Sequence, residues 1–202
     1  MDEFSTAIIL AGGQSSRMGF DKQELKIHEI RLIDKIASNL RGEFKDIIIV
    51  SNRPELYSDF KGIVVEDIIK SKGPLGGIHA GLSHGKSKYS FVIACDMPKL
   101  NMDYIRHMKD RLSGDKSLGC VTKNGNIIEP FSGFYSLDLI NSIEAYLESG
   151  RRSLNGFIKT INMTIIAEDE ARKFSPNWEV FLNLNTREDL NKYLNTSTGC
   201  GS

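Results

Sequence analysis

The spacing of apolar and polar positions changes several times along the chain, and each change marks an element. Ala7 to Leu10 is an unbroken apolar run of the length and β-branched content of a buried strand, and Gly12-Gly13 let the backbone turn sharply after it. Gln23 to Ile30 alternates, with Leu25 and Ile27 apolar. Leu32, Ile33, Ile36, Ala37 and Leu40 then recur at helical spacing up to a stop at Gly42. The run that opens at Asp46 predicts a second buried strand, with a turn or short helix at Asn52-Arg53-Pro54. The run from Gly62 predicts a third strand ending in Glu66 and Asp67. Short apolar strands separated by a helix imply a parallel crossover.

Beyond Lys72, four glycines and a proline in the ten residues from Gly73 form a loop that leads into a helix near Gly76 to His84. Tyr89 onward is a fourth strand that reaches Asp96, and Pro98 forbids its continuation. Tyr104, Ile105, Met108 and Leu112 share one face of a helix over 102–112. Leu118 to Thr122 and Ile127 to Tyr135 read as strands, with Asn124-Gly125 as the strongest short-range hairpin turn in the chain. A helix over 137–147 ends at Gly150, and a second follows Arg151-Arg152 with Leu154, Phe157, Ile158 and Ile161 apolar. The runs from Met163 and from Trp178 to Asn185 predict two late strands. Thr186, with Glu188 or Asp189, forms a capping box for a terminal amphipathic helix. Together these elements predict an α/β fold of three layers, with a mostly parallel sheet and a small antiparallel addition. A single domain is expected over 1–195, followed by a disordered tail over 196–202.

The composition narrows the partners. The chain has 202 residues, enough for a sizeable core, and 26 basic residues balance 26 acidic ones. A net charge of zero gives no electrostatic case for nucleic acid or an anionic membrane surface, so any attraction for polyphosphate must be local. Cys95, Cys120 and Cys200 have no metal-ligand spacing, and an odd count argues against a disulfide framework. The acidic N-terminus lacks the basic region of a signal peptide, and no stretch approaches the ~20 apolar residues of a membrane span. A cytoplasmic protein with reduced thiols is expected.

The chemistry-bearing residues gather after apolar runs. In a parallel α/β sheet, ligands bind outside the carboxyl ends of the strands. That is where the loop after the first strand, Asp67, Asp96, and the pair Asn183 and Asn185 all fall. The first loop carries Arg17 and Lys22 and matches neither GxxxxGK[ST] nor GxGxxG. A glycine turn alone serves any tight strand exit, but two cations beside exposed N–H groups read as a phosphate cradle. Asp96 is either a turn cap before proline or a Mg²⁺ ligand, since Mg²⁺ is commonly held by one or two carboxylates plus substrate phosphates. The Gly73-Pro74-Leu75 segment can serve as a helix entry or let backbone press against a flat base. Cys95 has no partner His nearby and reads as a small buried apolar residue. Asn183 and Asn185, two apart on an expected strand, would point to one face.

Residues 10–22, LAGGQSSRMGFDK, resemble the LAGGxxxRMGxxDK signature of nucleotidyltransferases with a Rossmann-like fold. GPLGGIHAGL, CDMP and FLNLNTREDL are similar to segments of the molybdenum cofactor guanylyltransferase branch of that family, and the similarity runs from about Thr6 to Leu190. The opening signature alone is shared by cytidylyl- and uridylyltransferases. The resemblance implies GTP and molybdenum-bearing molybdopterin as substrates, Mg²⁺ as cofactor, and the guanine dinucleotide cofactor and pyrophosphate as products. It places Leu10, Ala11, Gly12, Gly13, Asn52, Asp67, Gly73, Pro74, Leu75 and Asp96 at the nucleotide and Lys22 at its phosphates. Asp96 is the implied Mg²⁺ ligand, Arg17, Lys22 and Asp96 the implied catalytic set, and Arg17, Arg152, Asn183 and Asn185 the implied pterin side. A strand-end Asn of the family falls on Val50, with Asn52 two residues on. Other cofactor-biosynthesis proteins or a receiving molybdoenzyme are implied partners. The competing readings are a cytidylyltransferase using CTP, a nucleotide-binding regulatory module without turnover, and a sugar-nucleotide transferase.

Overall fold

The computed structural model describes residues 2–12 and 21–197. Its strands are β1 (Thr6–Leu10), β2 (Lys26–Ile27), β3 (Ile30–Arg31), β4 (Asp46–Val50), β5 (Ile63–Val65), β6 (Tyr89–Ala94), β7 (Gly119–Asn124), β8 (Ile127–Ser136) and β9 (Thr164–Ile166). Its helices are α1 (Leu32–Leu40), α2 (Pro74–His84), α3 (Met102–Leu112), α4 (Ile140–Glu148), α5 (Leu154–Ile158), α6 (Glu168–Ala171) and α7 (Arg187–Ser197).

Seven strands form one sheet in the order β5-β4-β1-β6-β8-β7-β9, and β2 and β3 form a separate antiparallel pair. The β5–β4, β4–β1, β1–β6 and β7–β9 pairs are parallel; β8 runs antiparallel to both neighbours. The expected mostly parallel sheet and its antiparallel hairpin are therefore both present. Because β1, β4 and β6 are flanked on both sides, they read as continuous apolar runs rather than alternating ones. Two apolar clusters cover the two faces. One joins α1, α3 and the terminal helix through Ile33, Ile36, Tyr104, Met108 and Tyr193. The other joins α2, α4 and α5 through Ile78, Leu82, Ile143 and Phe157. Each fully buried aliphatic or aromatic side chain in these clusters contributes about 1.5–3 kcal/mol.

Helix α2 lies unusually close to the sheet. A Cβ built on Gly81 would stand 2.5 Å from Ile8 Cγ2, so only a residue without a side chain lets the helix pack at this distance.

Four expectations need correction. The span from Trp178 to Asn185 is not a strand: it holds a single 3-10 turn over Glu179–Phe181, entered by Trp178 at φ 66°. Local polar bonding overrides β-propensity there. Ser175 Oγ and Asn177 Nδ2 both donate to the Glu179 carboxylate at 2.9 Å, and Trp178 packs tilted against Phe181 with ring centroids 4.6 Å apart. The alternation over 23–30 forms a 3-10 turn (Lys22–Glu24) and a two-residue hairpin whose corner is His28-Glu29, both at positive φ. Helix α2 begins at Pro74, before the expected Gly76, because Gly73 at φ 65° ends the preceding loop and proline suits the first helical position. Helix α7 runs to Ser197, so the expected tail beginning at 196 is helical in its first two residues; 198–202 lie outside the described residues.

Candidate functional site

The chain visits β1, then β4 and β5 on one side, and returns to β6 on the other, so the strand order reverses at β1. Such a reversal opens a crevice at the carboxyl ends of the adjacent strands. Each strand end there is pinned to its neighbour by one further backbone bond: Ala11 N–H donates to Val50 O (2.9 Å), Ser51 N–H to Val65 O (2.9 Å) and Cys95 N–H to Leu10 O (3.0 Å). The residues that follow these anchors form the floor of the crevice.

On the β6 side, the Lys22 ammonium lies between two acceptors, Asp96 Oδ2 at 2.5 Å and Asn185 Oδ1 at 2.7 Å. Asp96 is buried while the Lys22 side chain retains 23 % exposure, so the ammonium stands at the mouth and the carboxylate beneath it. Leu184 N–H donates to Asp96 O at 2.9 Å, which fastens the segment carrying Asn183 and Asn185 to the end of β6. Asn183 turns its amide to Phe181 O at 2.9 Å instead, so the two asparagines do not share a duty or a face. The expected strand with period-two display is replaced by a turn that sends only Asn185 to Lys22.

Lys22 owes its place to its neighbours in sequence. Asp21 accepts from Gln23 N–H (2.9 Å) and from Arg53 Nη1 (2.7 Å). Gln23 is buried, and its Oε1 accepts from Ser51 Oγ (2.5 Å) and Tyr57 Oη (3.1 Å). These bonds tie both sides of Lys22 to the loop after β4, restricting a side chain that would otherwise have four free torsions. Sequence reasoning did not single out Gln23, Ser51, Arg53 or Tyr57; a lone amide amid charged residues carries no signal of burial.

On the β4–β5 side, Asn52 Nδ2 donates to Asp67 Oδ2 at 3.2 Å, and Gly12 lies close by, since its built Cβ would be 3.9 Å from Asn52 Nδ2. Val50 is buried in the α2-side cluster, so of the two strand-end positions only Asn52 reaches the crevice. Gly77, in the first turns of α2, faces the same place: a Cβ there would be 3.2 Å from Leu10 Cδ2 and 3.6 Å from Asp67 Oδ1. Gly73, Pro74 and Leu75 thus open a helix whose first turns reach Leu10 and Asp67 through Gly77. Arg152 is exposed in the loop between α4 and α5. Gly13 and Arg17 lie outside the described residues.

Burial pushes the Cys95 thiol up to about 12, reinforced by the neighbouring Asp96 charge, so it is no thiolate nucleophile at neutral pH. Among the described residues, no group of three or more His, Cys, Asp or Glu side chains is arranged to hold a metal ion, and no helix is long and apolar enough to cross a membrane.

The sequence profile of the MobA-like NTP transferase domain matches residues 7–163. A probable molybdenum cofactor guanylyltransferase of Peptoclostridium acidaminophilum is 52 % identical over 195 residues, covering 94 % of this chain and 88 % of that protein. The molybdenum cofactor guanylyltransferase of Syntrophotalea carbinolica is 48 % identical over 199 residues, covering 98 % and 95 %. The crystal structure of molybdopterin-guanine dinucleotide biosynthesis protein A from Archaeoglobus fulgidus superposes with a TM-score of 0.84 at 23 % identity, covering 96 % of this chain and 98 % of that one, and shares the fold.

Proposed function

Because the chain belongs to the MobA-like NTP transferase family and is a nucleotidyltransferase by that kinship, we propose that it transfers GMP from GTP to the terminal phosphate of molybdenum-bearing molybdopterin, releasing pyrophosphate. The observation that carries this reading is the Lys22 ammonium held between Asp96 and Asn185 at the strand-order reversal. Across that crevice, the nucleotide is assigned to the Leu10–Gly13, Asn52, Asp67 and Gly73–Leu75 side. The acceptor is assigned to Arg17, Arg152, Asn183 and Asn185, of which Asn185 meets Lys22 while Asn183 turns its amide to Phe181 O.

The acceptor supplies its own nucleophile. Its terminal phosphate oxygen attacks the α-phosphorus of GTP in line, the new P–O bond forms as the bond to the β-phosphate oxygen breaks, and pyrophosphate leaves. No protein nucleophile is needed, in keeping with the inert Cys95. The protein contributes by holding the two phosphates in line and by countering the charge that develops on them. Lys22 does so as a mobile point charge that exchanges Asp96 and Asn185 for phosphate oxygens.

The same two acceptors fit Mg²⁺. Asp96 and Asn185 already close on a cation with hard oxygen donors at 2.5 and 2.7 Å, and a site with so few protein ligands suits an ion that completes its shell with phosphate and water. When bound, the ion supplies Lewis-acid polarisation of the phosphoryl oxygens.

The test is turnover of GTP labelled at the α-phosphate with molybdenum-loaded molybdopterin and Mg²⁺. Labelled guanine dinucleotide with stoichiometric pyrophosphate is expected. Product from CTP alone would make the protein a cytidylyltransferase, and nucleotide binding without pyrophosphate would make it a regulatory module.

A further inference from the structure

Strand β8 is irregular where it passes the end of β6. Cys120 pairs with Phe134, yet Thr122 pairs with Glu129, so β7 advances two residues while β8 advances five. The surplus, Pro130 to Ser132, bulges out, with Ser132 at φ 57° and the buried Tyr135 hydroxyl donating to Pro130 O. The β6–β8 pairing ends at Val92↔Gly133, so the bulge stands beside the segment from which Asp96 follows. Bulges of this kind re-aim side chains and gather next to functional sites.

Glu129 stands at the edge of the bulge, the last residue of β8 paired with β7 before it. Its carboxyl is half-buried, and burial raises it above the ordinary glutamate range. Among the described residues no cation pairs with it. Its one polar influence is the indole N–H of Trp178, which draws the carboxyl back toward ionisation. That N–H is buried and has no hydrogen-bond partner other than this carboxyl among the described residues. Trp178 is packed from both neighbours: the Phe181 ring meets it tilted by 35°, and the Arg172 guanidinium lies 5.0 Å from its ring centroid. Among the described residues this half-buried carboxylate therefore has one neutral donor beside it and no cation, which leaves acceptor capacity open to a ligand.

A carboxylate so placed accepts best from two parallel N–H donors. The edge of a 2-amino-4-oxopyrimidine offers that pair, a ring N–H beside an exocyclic amino group. Two molecules in the proposed reaction carry such an edge: the guanine of GTP and the pterin of the acceptor. The sheet order separates them, because β8 lies on the far side of β6 from β1, β4 and β5, where Asn52 and Asp67 face the nucleotide side. We propose that Glu129 is the specificity residue for the acceptor's pterin ring, and that Trp178 is a positioning residue that orients its carboxylate. This assignment rests on the reading of the protein as a molybdopterin nucleotidyltransferase.

The experiment titrates 6-hydroxymethylpterin, followed by its own fluorescence, and separately GTP, into the wild-type protein and the variants Glu129→Gln, Glu129→Asp and Trp178→Phe. Turnover with molybdenum-loaded molybdopterin is measured alongside. Loss of a charge-assisted pair should weaken pterin binding by Glu129→Gln about 10- to 100-fold. KM for molybdopterin should rise in parallel, with GTP affinity and thermal midpoint unchanged. Glu129→Asp, which keeps the charge, should recover part of the affinity, and Trp178→Phe should lose less than Glu129→Gln. Equal pterin affinity in wild type and Glu129→Gln overturns the assignment. So does a matching loss of GTP affinity, which would move Glu129 to the nucleotide, and so does a wild type that binds no pterin. Pterin binding that depends on Glu129 without any dinucleotide formed would refute the proposed reaction while leaving the ring site standing.

Discussion

Replacing Asp96 by Asn changes one oxygen for nitrogen and removes one charge, and its two consequences can be measured separately. In the resting protein, Asp96 Oδ2 receives the Lys22 ammonium at 2.5 Å beneath a mouth where Lys22 is 23 % exposed. A charge-assisted hydrogen bond is worth about 1.5–3 kcal/mol, and partial exposure sets this one near the low end. With Asn185 still holding the ammonium at 2.7 Å, Asp96→Asn should destabilise the fold by about 1–2 kcal/mol and lower the thermal midpoint by about 2–8 °C. Catalysis should suffer more, because the carboxylate is assigned to the charge that develops at the α-phosphate. Removing a preorganised stabilising group costs about 10²–10³ in kcat, or about 2.7–4 kcal/mol. The assay is pyrophosphate release at saturating GTP and molybdenum-loaded molybdopterin, with GTP affinity taken from calorimetry. The expected signature is kcat lowered by two to three orders of magnitude with GTP affinity changed less than about tenfold. Adding Lys22→Met closes a double-mutant cycle, in which direct contact predicts a coupling of about 0.5–3 kcal/mol in stability. An Asp96→Asn enzyme within threefold of wild-type kcat would refute the role of the carboxylate, and additive stability changes would refute the contact.

Lys22→Met should weaken GTP binding by about 10- to 100-fold, the loss of a charge-assisted contact to phosphate; unchanged calorimetric affinity would remove Lys22 from the phosphate side. Gly81→Ala forces a Cβ to 2.5 Å from Ile8 Cγ2 and should destabilise by about 1–3 kcal/mol despite alanine's better helix propensity, read as a lower thermal midpoint. Burial holds the Cys95 and Cys120 thiols up at about 12; because a raised thiol stays protonated until the pH nears that value, iodoacetamide at pH 8 should leave both unlabelled in peptide maps of the native protein. Thr186→Ala removes the hydroxyl that accepts from Asp189 N–H at 3.1 Å, and loss of this N-cap should cost about 1 kcal/mol in denaturant unfolding.

The elements legible in the sequence were those whose pattern one mechanism decides. The apolar runs of β1, β4 and β6 could only be strands flanked on both sides, and Thr186 with Asp189 forms the capping box expected, the carboxylate accepting from Thr186 N–H at 2.8 Å in return. The span after Trp178 misled because two principles compete there. Valine, phenylalanine and tryptophan favour a strand, but Ser175, Asn177 and Glu179 bond locally and close a turn. Asn185 was singled out from a strand that does not exist, and it stands beside Lys22 because Leu184 is fastened to Asp96. Glu129 left no trace in the sequence. Its placement depends on a register shift that appears only when β7 and β8 are paired.

The crevice is organised by where strand pairing stops. Ala11, Ser51 and Cys95 each continue the ladder by one bond past the named strands, and Leu184 adds a fourth bond from a segment outside the sheet. Gly12, Asn52 and Asp96 each come immediately after one of the first three, at the first positions past the strand ladder. The Asn52 and Asp96 side chains are thus carried just past the anchored strand ends while reaching the open end of the sheet, the arrangement that preorganisation requires. Lys22 differs: it comes from a connecting segment, a 3-10 turn closed by Leu25 N–H on Lys22 O (3.4 Å) and joined to the loop after β4 by side chains, through Asp21 to Arg53 and Gln23 to Ser51. In the proposed mechanism a cation that passes from a carboxylate to a phosphate needs that looser tether, whereas the groups it passes between need the stiffer one. Loosening the tether by Gln23→Ala should therefore raise KM for GTP while sparing the thermal midpoint less than a surface change would, since the buried Ser51 and Tyr57 hydroxyls lose their shared acceptor. Steady-state kinetics with an unchanged KM would show that Lys22 is positioned by Asp96 and Asn185 alone.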